Sequence, residues 1–186
     1  MTPQEITATL QELFGAVDIA APNSWQVETG NCRLLVLLSE DVSWLRILVP
    51  IATIQEAQQF LEPLLEANFD VTQETRYALH QNVVWGVFQH SFESLMIADF
   101  ITAVKRLLSL HQRGLSDFFS ELVETRIRQI IQAAKRQGQS LEATLQTLER
   151  FYAEGLMGEI NMGHEAREQT LAAWRRQLER LWSEVE

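Results

Sequence analysis

Residues 25–50 read WQVETGNCRLLVLLSEDVSWLRILVP, and this stretch decides the fold. It holds three strand-like runs, Trp25–Glu28, Arg33–Leu38 and Trp44–Val49. Thr29-Gly30-Asn31 separates the first two, and Ser39-Glu40-Asp41 separates the second from the third. Short runs cut by Gly, Asn, Ser and Asp read as consecutive antiparallel strands joined by turns. Pro50 should end the ladder, because proline has no amide hydrogen to donate.

Helix signals flank this core on both sides. Thr2-Pro3-Gln4-Glu5 combines a capping threonine, a proline at the first helical position and a capping-box glutamate. Ile6, Leu10, Leu13 and Phe14 follow at helical spacing, and Gly15 is the expected stop. Thr53-Ile54-Gln55-Glu56 repeats the box and opens a helix to about Ala67, which Pro63 should kink or break. Glu74–Leu79 and Val83–Gln89 read as a hairpin around Gln81-Asn82. Ser91 is placed to cap a further helix bearing Phe92, Leu95, Met96, Phe100, Val104, Leu107 and Leu108.

The fold class expected is therefore α+β: helix, three strands, helix, two strands, helix, with a mainly antiparallel sheet. Arg113-Gly114 marks the domain boundary, giving an α+β domain over 1–113 and a helical extension over 114–186 packed on it. In the extension, one stripe runs from Phe119 to Ala134. A second helix is capped by Ser140, Gly155 to Gly163 forms an apolar connector, and a last helix covers about Glu165–Ser183.

A sheet wetted on one side alternates apolar and polar residues. Leu34–Leu38 and Val83–Phe88 are apolar at both parities, so both faces of this sheet need cover. With an even number of residues in the loop at Glu40-Asp41, Leu37 faces Trp44, Leu35 faces Arg46 and Arg33 faces Leu48. An odd loop reverses the register and dissolves that face. Trp44, Arg46, Leu48 and Trp85 then stand as partner-binding candidates, since aromatic and arginine anchors beside aliphatic residues mark interface hot spots. The same face also reads as ordinary core with arginine stems laid over it.

Leu171, Trp174, Leu178, Leu181 and Val185 are spaced 3, 4, 3 and 4, an a/d seam of about two heptads. It either docks on its own domain or pairs with another chain, so Leu171, Trp174 and Leu178 join the candidates. Arg175, Arg176 and Arg180 form a solvated face.

Composition bounds the function. The 186 residues carry 25 acidic and 15 basic side chains, a formal charge of −10, which disfavours nucleic acid and anionic membrane as partners. The N-terminus lacks a secretory pattern and the longest apolar run, Leu34–Leu38, is too short to span a bilayer. A single cysteine, Cys32, fits a reducing compartment and reads as a small buried apolar residue. A cytoplasmic protein is expected. No catalytic, cofactor or metal site is expected either. His164-Glu165 lacks the second histidine of a zinc helix, the eight glycines form no phosphate loop, and Glu40-Asp41 sits in a turn.

The order of elements over residues 2 to 112 resembles the type III secretion chaperone-like fold, which includes YbjN-type domains. The likeness is to a bacterial, cyanobacterial family with an added C-terminal helical extension. The resemblance implies a non-enzymatic, chaperone-like homodimer that holds a client protein on apolar surface. Two features depart from it: the tail from Gly114, and the proline in the second helix. The alternatives are a structural subunit using the C-terminal helix, and a small-ligand binder or enzyme with a pocket between sheet and tail.

Overall fold

The computed structural model describes residues 1–30, 32–153 and 164–185. The chain forms two compact units, Met1–Phe118 and Phe119–Glu186.

In the first unit, α1 spans Pro3–Phe14. Thr2 Oγ1 accepts from the Glu5 amide at 3.2 Å while the Glu5 carboxylate accepts from the Thr2 amide at 2.7 Å. Gly15, at φ 80°, ends the helix. The sheet is six-stranded and antiparallel, in the order β1-β2-β3-β4-β6-β5. Its strands are β1 Asp18–Ala21, β2 Ser24–Thr29, β3 Cys32–Leu38, β4 Trp44–Thr53, β5 Arg76–His80 and β6 Val83–Ser91.

Four strands thus precede the second helix rather than three. The extra one, β1, is a four-residue edge strand with every side chain exposed, so it carries no burial pattern to read. Pro50 does not end β4, which pairs with β6 as far as Thr53. The physical reason is position. The β3–β4 ladder stops at Leu48, so the missing amide hydrogen of Pro50 falls where β4 has a neighbour only on the β6 side. The β5–β6 hairpin turns at Gln81 (φ 49°) and Asn82 (φ 61°), the paired left-handed conformations of a tight type I′ turn.

The second helix is broken as Pro63 demands, but upstream of it. After α2 (Ile54–Ala57), capped by Thr53 and Glu56, a 3-10 turn covers Gln58–Phe60 and α3 covers Leu61–Asp70. The break puts Pro63 in the first turn of α3, where an amide hydrogen has no helical partner to lose. Ser91 does not cap α4. It is the last residue of β6, opposite Trp44, and α4 begins at Ile97 and runs to Arg113. Phe92 and Leu95 are buried in the intervening turn, while Met96 is left exposed.

One face of the sheet is closed by α1 and α4. The Trp25 indole donates to Thr7 Oγ1 of α1 at 2.8 Å. A Cβ on Gly86 would stand 3.0 Å from the Val49 side chain and 3.2 Å from that of Leu107 of α4, so a larger residue would push both back. Val27, Leu34, Val36, Leu45, Ile47, Val49 and Phe88 are buried on that side with Ile6, Leu10, Phe100, Val104 and Leu107. Complete burial of each such side chain contributes about 1.5–3 kcal/mol. At the β5 edge, the Asn68 side chain of α3 donates to the Tyr77 carbonyl at 3.1 Å and accepts from the Tyr77 amide at 2.7 Å.

The second unit is helical: α5 (Ser116–Arg136, beginning just inside the first unit), α6 (Leu141–Ala153) and α7 (His164–Trp182). Ser140 caps α6 through the Ala143 amide at 3.2 Å. Ile127, Ile131, Leu145, Leu148, Leu178, Leu181 and Val185 form its core. The apolar connector expected over Gly155 to Gly163 lies outside the described residues.

Candidate functional site

The face of the sheet opposite α1 and α4 is built by parity. Leu37 pairs with Arg46 and Leu35 with Leu48 across β3 and β4. Arg46 pairs with Gln89, Leu48 with Val87 and Pro50 with Trp85 across β4 and β6. Directly opposed residues of an antiparallel pair project on one side, so these side chains share a surface. Leu35, Leu37, Trp44, Arg46, Leu48 and Trp85 are all half-buried.

The register differs by two residues from the expected one. Ser39 donates its amide hydrogen to the Trp44 carbonyl at 2.9 Å, so the loop contains four residues, Glu40–Ser43, rather than two. A slip of two conserves parity, and the candidate face survives with new neighbours. Arg33 does not face Leu48. It stands opposite Glu28 of β2 and is paired with it at 2.7 Å.

The loop is held by its own polar side chains. Asp41 Oδ1 accepts from the hydroxyls of Ser39 (2.6 Å) and Ser43 (2.7 Å) and from the Ser43 amide (3.2 Å). Those bonds favour the ionised form and hold the Asp41 carboxyl below the usual aspartate range. Ser39 Oγ also accepts from the amides of Ser43 and Trp44. The ring of Trp44 leaves this loop at the head of the open face. Beside it, a shallow cleft of about 620 Å³ is lined by Pro22, Asn23, Leu37, Glu40, Asp41 and Trp44. Val42, at φ 57° and 44% exposed, takes a conformation that β-branched residues rarely adopt.

Arg46 is fixed in two ways. Its guanidinium lies 4.8 Å from the Trp44 ring centroid, a cation–π contact. Its Nε and Nη2 donate to Gln89 Oε1 at 3.1 and 2.8 Å. Trp85 is oriented by its indole hydrogen bond to the His80 carbonyl at 3.2 Å. The face thus combines apolar area with one guanidinium that a ring and a side-chain amide hold in place.

No family model matches the chain, and no curated protein matches it. Among solved structures it is similar to a chain in the crystal structure of the ExsC-ExsE complex, with 13% identity and a TM-score of 0.47. That match covers 61% of this chain and 95% of the other. It is similar also to a chain in the structure of the HopA1-SchA chaperone-effector complex, with 10% identity and a TM-score of 0.45, covering 61% and 97%.

Of the candidates read from sequence, Trp44, Arg46, Leu48 and Trp85 come together on this face. The C-terminal candidates belong to the second unit. Leu178 is fully buried in the helical core with Leu181 and Val185, and Trp174 packs against the same core. Leu178, Leu181 and Val185 of the seam are thus buried inside their own unit, against Ile127 and Ile131 of α5 and Leu145 and Leu148 of α6. The side chain of Leu171 lies outside the described residues. Gln89, which anchors Arg46, was missed, since the two are 43 residues apart and only the β4–β6 register joins them. Among the described residues, no three His, Cys, Asp or Glu side chains converge as a metal site, and no helix is long and apolar enough to cross a membrane. Cys32 is buried, and burial pushes its thiol up, away from the reactive thiolate.

Proposed function

We propose that this protein binds another protein, in chaperone-like fashion and without catalysis, through the open face of its sheet. Trp44, Arg46, Leu48 and Trp85 form the centre of the binding surface. The observation that carries this reading is the Trp44–Arg46–Gln89 arrangement. An arginine stacked on tryptophan and held by a glutamine has already lost its rotamer freedom, so little further entropy is lost when a partner covers it. Half-buried leucines around it supply apolar area that gains when water is removed.

The test is affinity capture from the protein's own cells, comparing the natural chain with Trp44→Ala/Arg46→Ala. Both side chains project from the sheet surface and neither is part of the buried core, so the variant should keep its circular dichroism. A stoichiometric protein partner held by the natural chain and lost from the variant is the expected result. Equal capture by both chains would remove these residues from the site.

A further inference from the structure

The open face carries charge as well as apolar area, and its two halves are matched differently. On β2 and β3, Arg33 has its carboxylate in Glu28. On β4, β6 and β5, the outward positions between Trp44 and Pro50, Trp85 and Ser91, and Arg76 and His80 include two arginines and no Asp or Glu. Arg76, opposite Val87, is exposed, and among the described residues it makes no ion pair. Arg46 bonds only a neutral amide and a ring, and its Nη1 is used by neither bond. This occurs in a chain with 25 acidic side chains and a net charge of −10.

A partner lying on this half must deal with both guanidinium groups. A purely apolar occupant would take Arg46 out of water with hydrogens unmatched, and such desolvation opposes binding. A carboxylate from the occupant removes that cost and adds a charge-assisted bond, the strongest kind open to arginine. Spacing narrows the choice further. Arg46 and Arg76 sit two strands and two residues apart, which sheet geometry makes about 12 Å. In an extended chain, residues i and i+4 lie on one side about 13 Å apart.

We infer that the occupant of this face is an extended acidic segment of another protein, with carboxylates four residues apart that pair with Arg46 and Arg76 and apolar side chains between them. The inference rests on the reading of this face as a protein-binding surface.

The experiment pans the immobilised full chain against a random twelve-residue peptide library and measures the selected peptides by fluorescence anisotropy. Expected are peptides rich in Asp and Glu whose binding weakens with salt. Arg76→Gln, at an exposed position, and Arg46→Gln/Arg76→Gln should each lower their affinity, the double variant by at least about tenfold. Trp44→Ala/Leu48→Ala should abolish it. Acid-free peptides that still need Trp44 and Leu48 would overturn the acidic occupant and leave the binding face standing. Peptides indifferent to Trp44 and Leu48, or no peptides at all, would overturn both. Retention on heparin or single-stranded DNA that the arginine variants remove, with acid-free peptides selected, would assign the arginines to a polyanion and overturn the proposal.

Discussion

Thr72 holds a hydroxyl that is buried and has no hydrogen-bond partner among the described residues. Its neighbour Thr75 solves the same problem by donating to the Thr72 carbonyl at 2.7 Å. An unmatched buried hydroxyl costs about 1–3 kcal/mol, whereas an apolar group of the same shape carries no such cost. Thr72→Val is therefore expected to stabilise the first unit by about 1 kcal/mol. A higher urea midpoint at unchanged slope would show it, and a lower one would mean that water or a relaxed rotamer already serves the hydroxyl. Single residues were legible where the signal was local. Thr2, Glu5, Gly15, Thr53 and Glu56 each act within one turn, and each does what its type predicts. Gly86 was legible only as a strand glycine, because the reason for it is the approach of Leu107, 21 positions along the chain on another element. Gln89 was illegible for the same reason: its work depends on a strand pairing that no local pattern encodes.

The hairpin between β3 and β4 shows how an element can be read correctly and placed wrongly. Its strands were evident from their apolar runs, and the even parity of the loop was enough to assemble the face. The four-residue loop was not evident, since its length is set by the Ser39–Asp41–Ser43 hydrogen bonds and by Val42 in a left-handed conformation. That conformation costs an ordinary L-residue about 1–2 kcal/mol, and asparagine tolerates it better. Val42→Asn should raise the thermal midpoint of the first unit by a few degrees, corresponding to about 1 kcal/mol. A fall instead would mean that the Val42 side chain packs in a way its exposure does not reveal. β1 escaped notice because a strand with no buried side shows no alternation. Ser91 misled because serine is as good at a strand end as at a helix start.

At the scale of the whole molecule, the two units are held by different physics. The first rests on a sheet fully buried under α1 and α4 and half-buried on its other face. In the second, a ring of exposed charges ties the end of the chain to α5. Arg128 bonds both Glu124 (2.9 Å) and Glu184 (2.8 Å), and Arg180 bonds Glu124 at 2.8 Å. The two guanidinium groups hold the Glu124 carboxyl below the usual glutamate range. A depressed carboxyl contributes stability that is fully present above its unfolded value and lost as pH falls through the depressed one. Acidification below the ordinary glutamate range should therefore loosen α7 before the apolar core of its own unit gives way. Amide exchange measured from neutral to strongly acid pH should rise first near Arg180–Glu184, and Glu124→Gln should abolish that early rise. Uniform exchange across both units would show that the charges add nothing to the apolar core formed by Ile127, Ile131, Leu178 and Leu181. The sheet has a second consequence, which follows from Asn68. Its amide occupies both backbone groups of Tyr77, so β5 offers no free partner at that residue, while β1 at the far side has none of its own strands beyond it. An added strand would find no free amide or carbonyl at Tyr77, whereas all four residues of β1 are exposed, so a strand that extends this sheet is expected to join at β1.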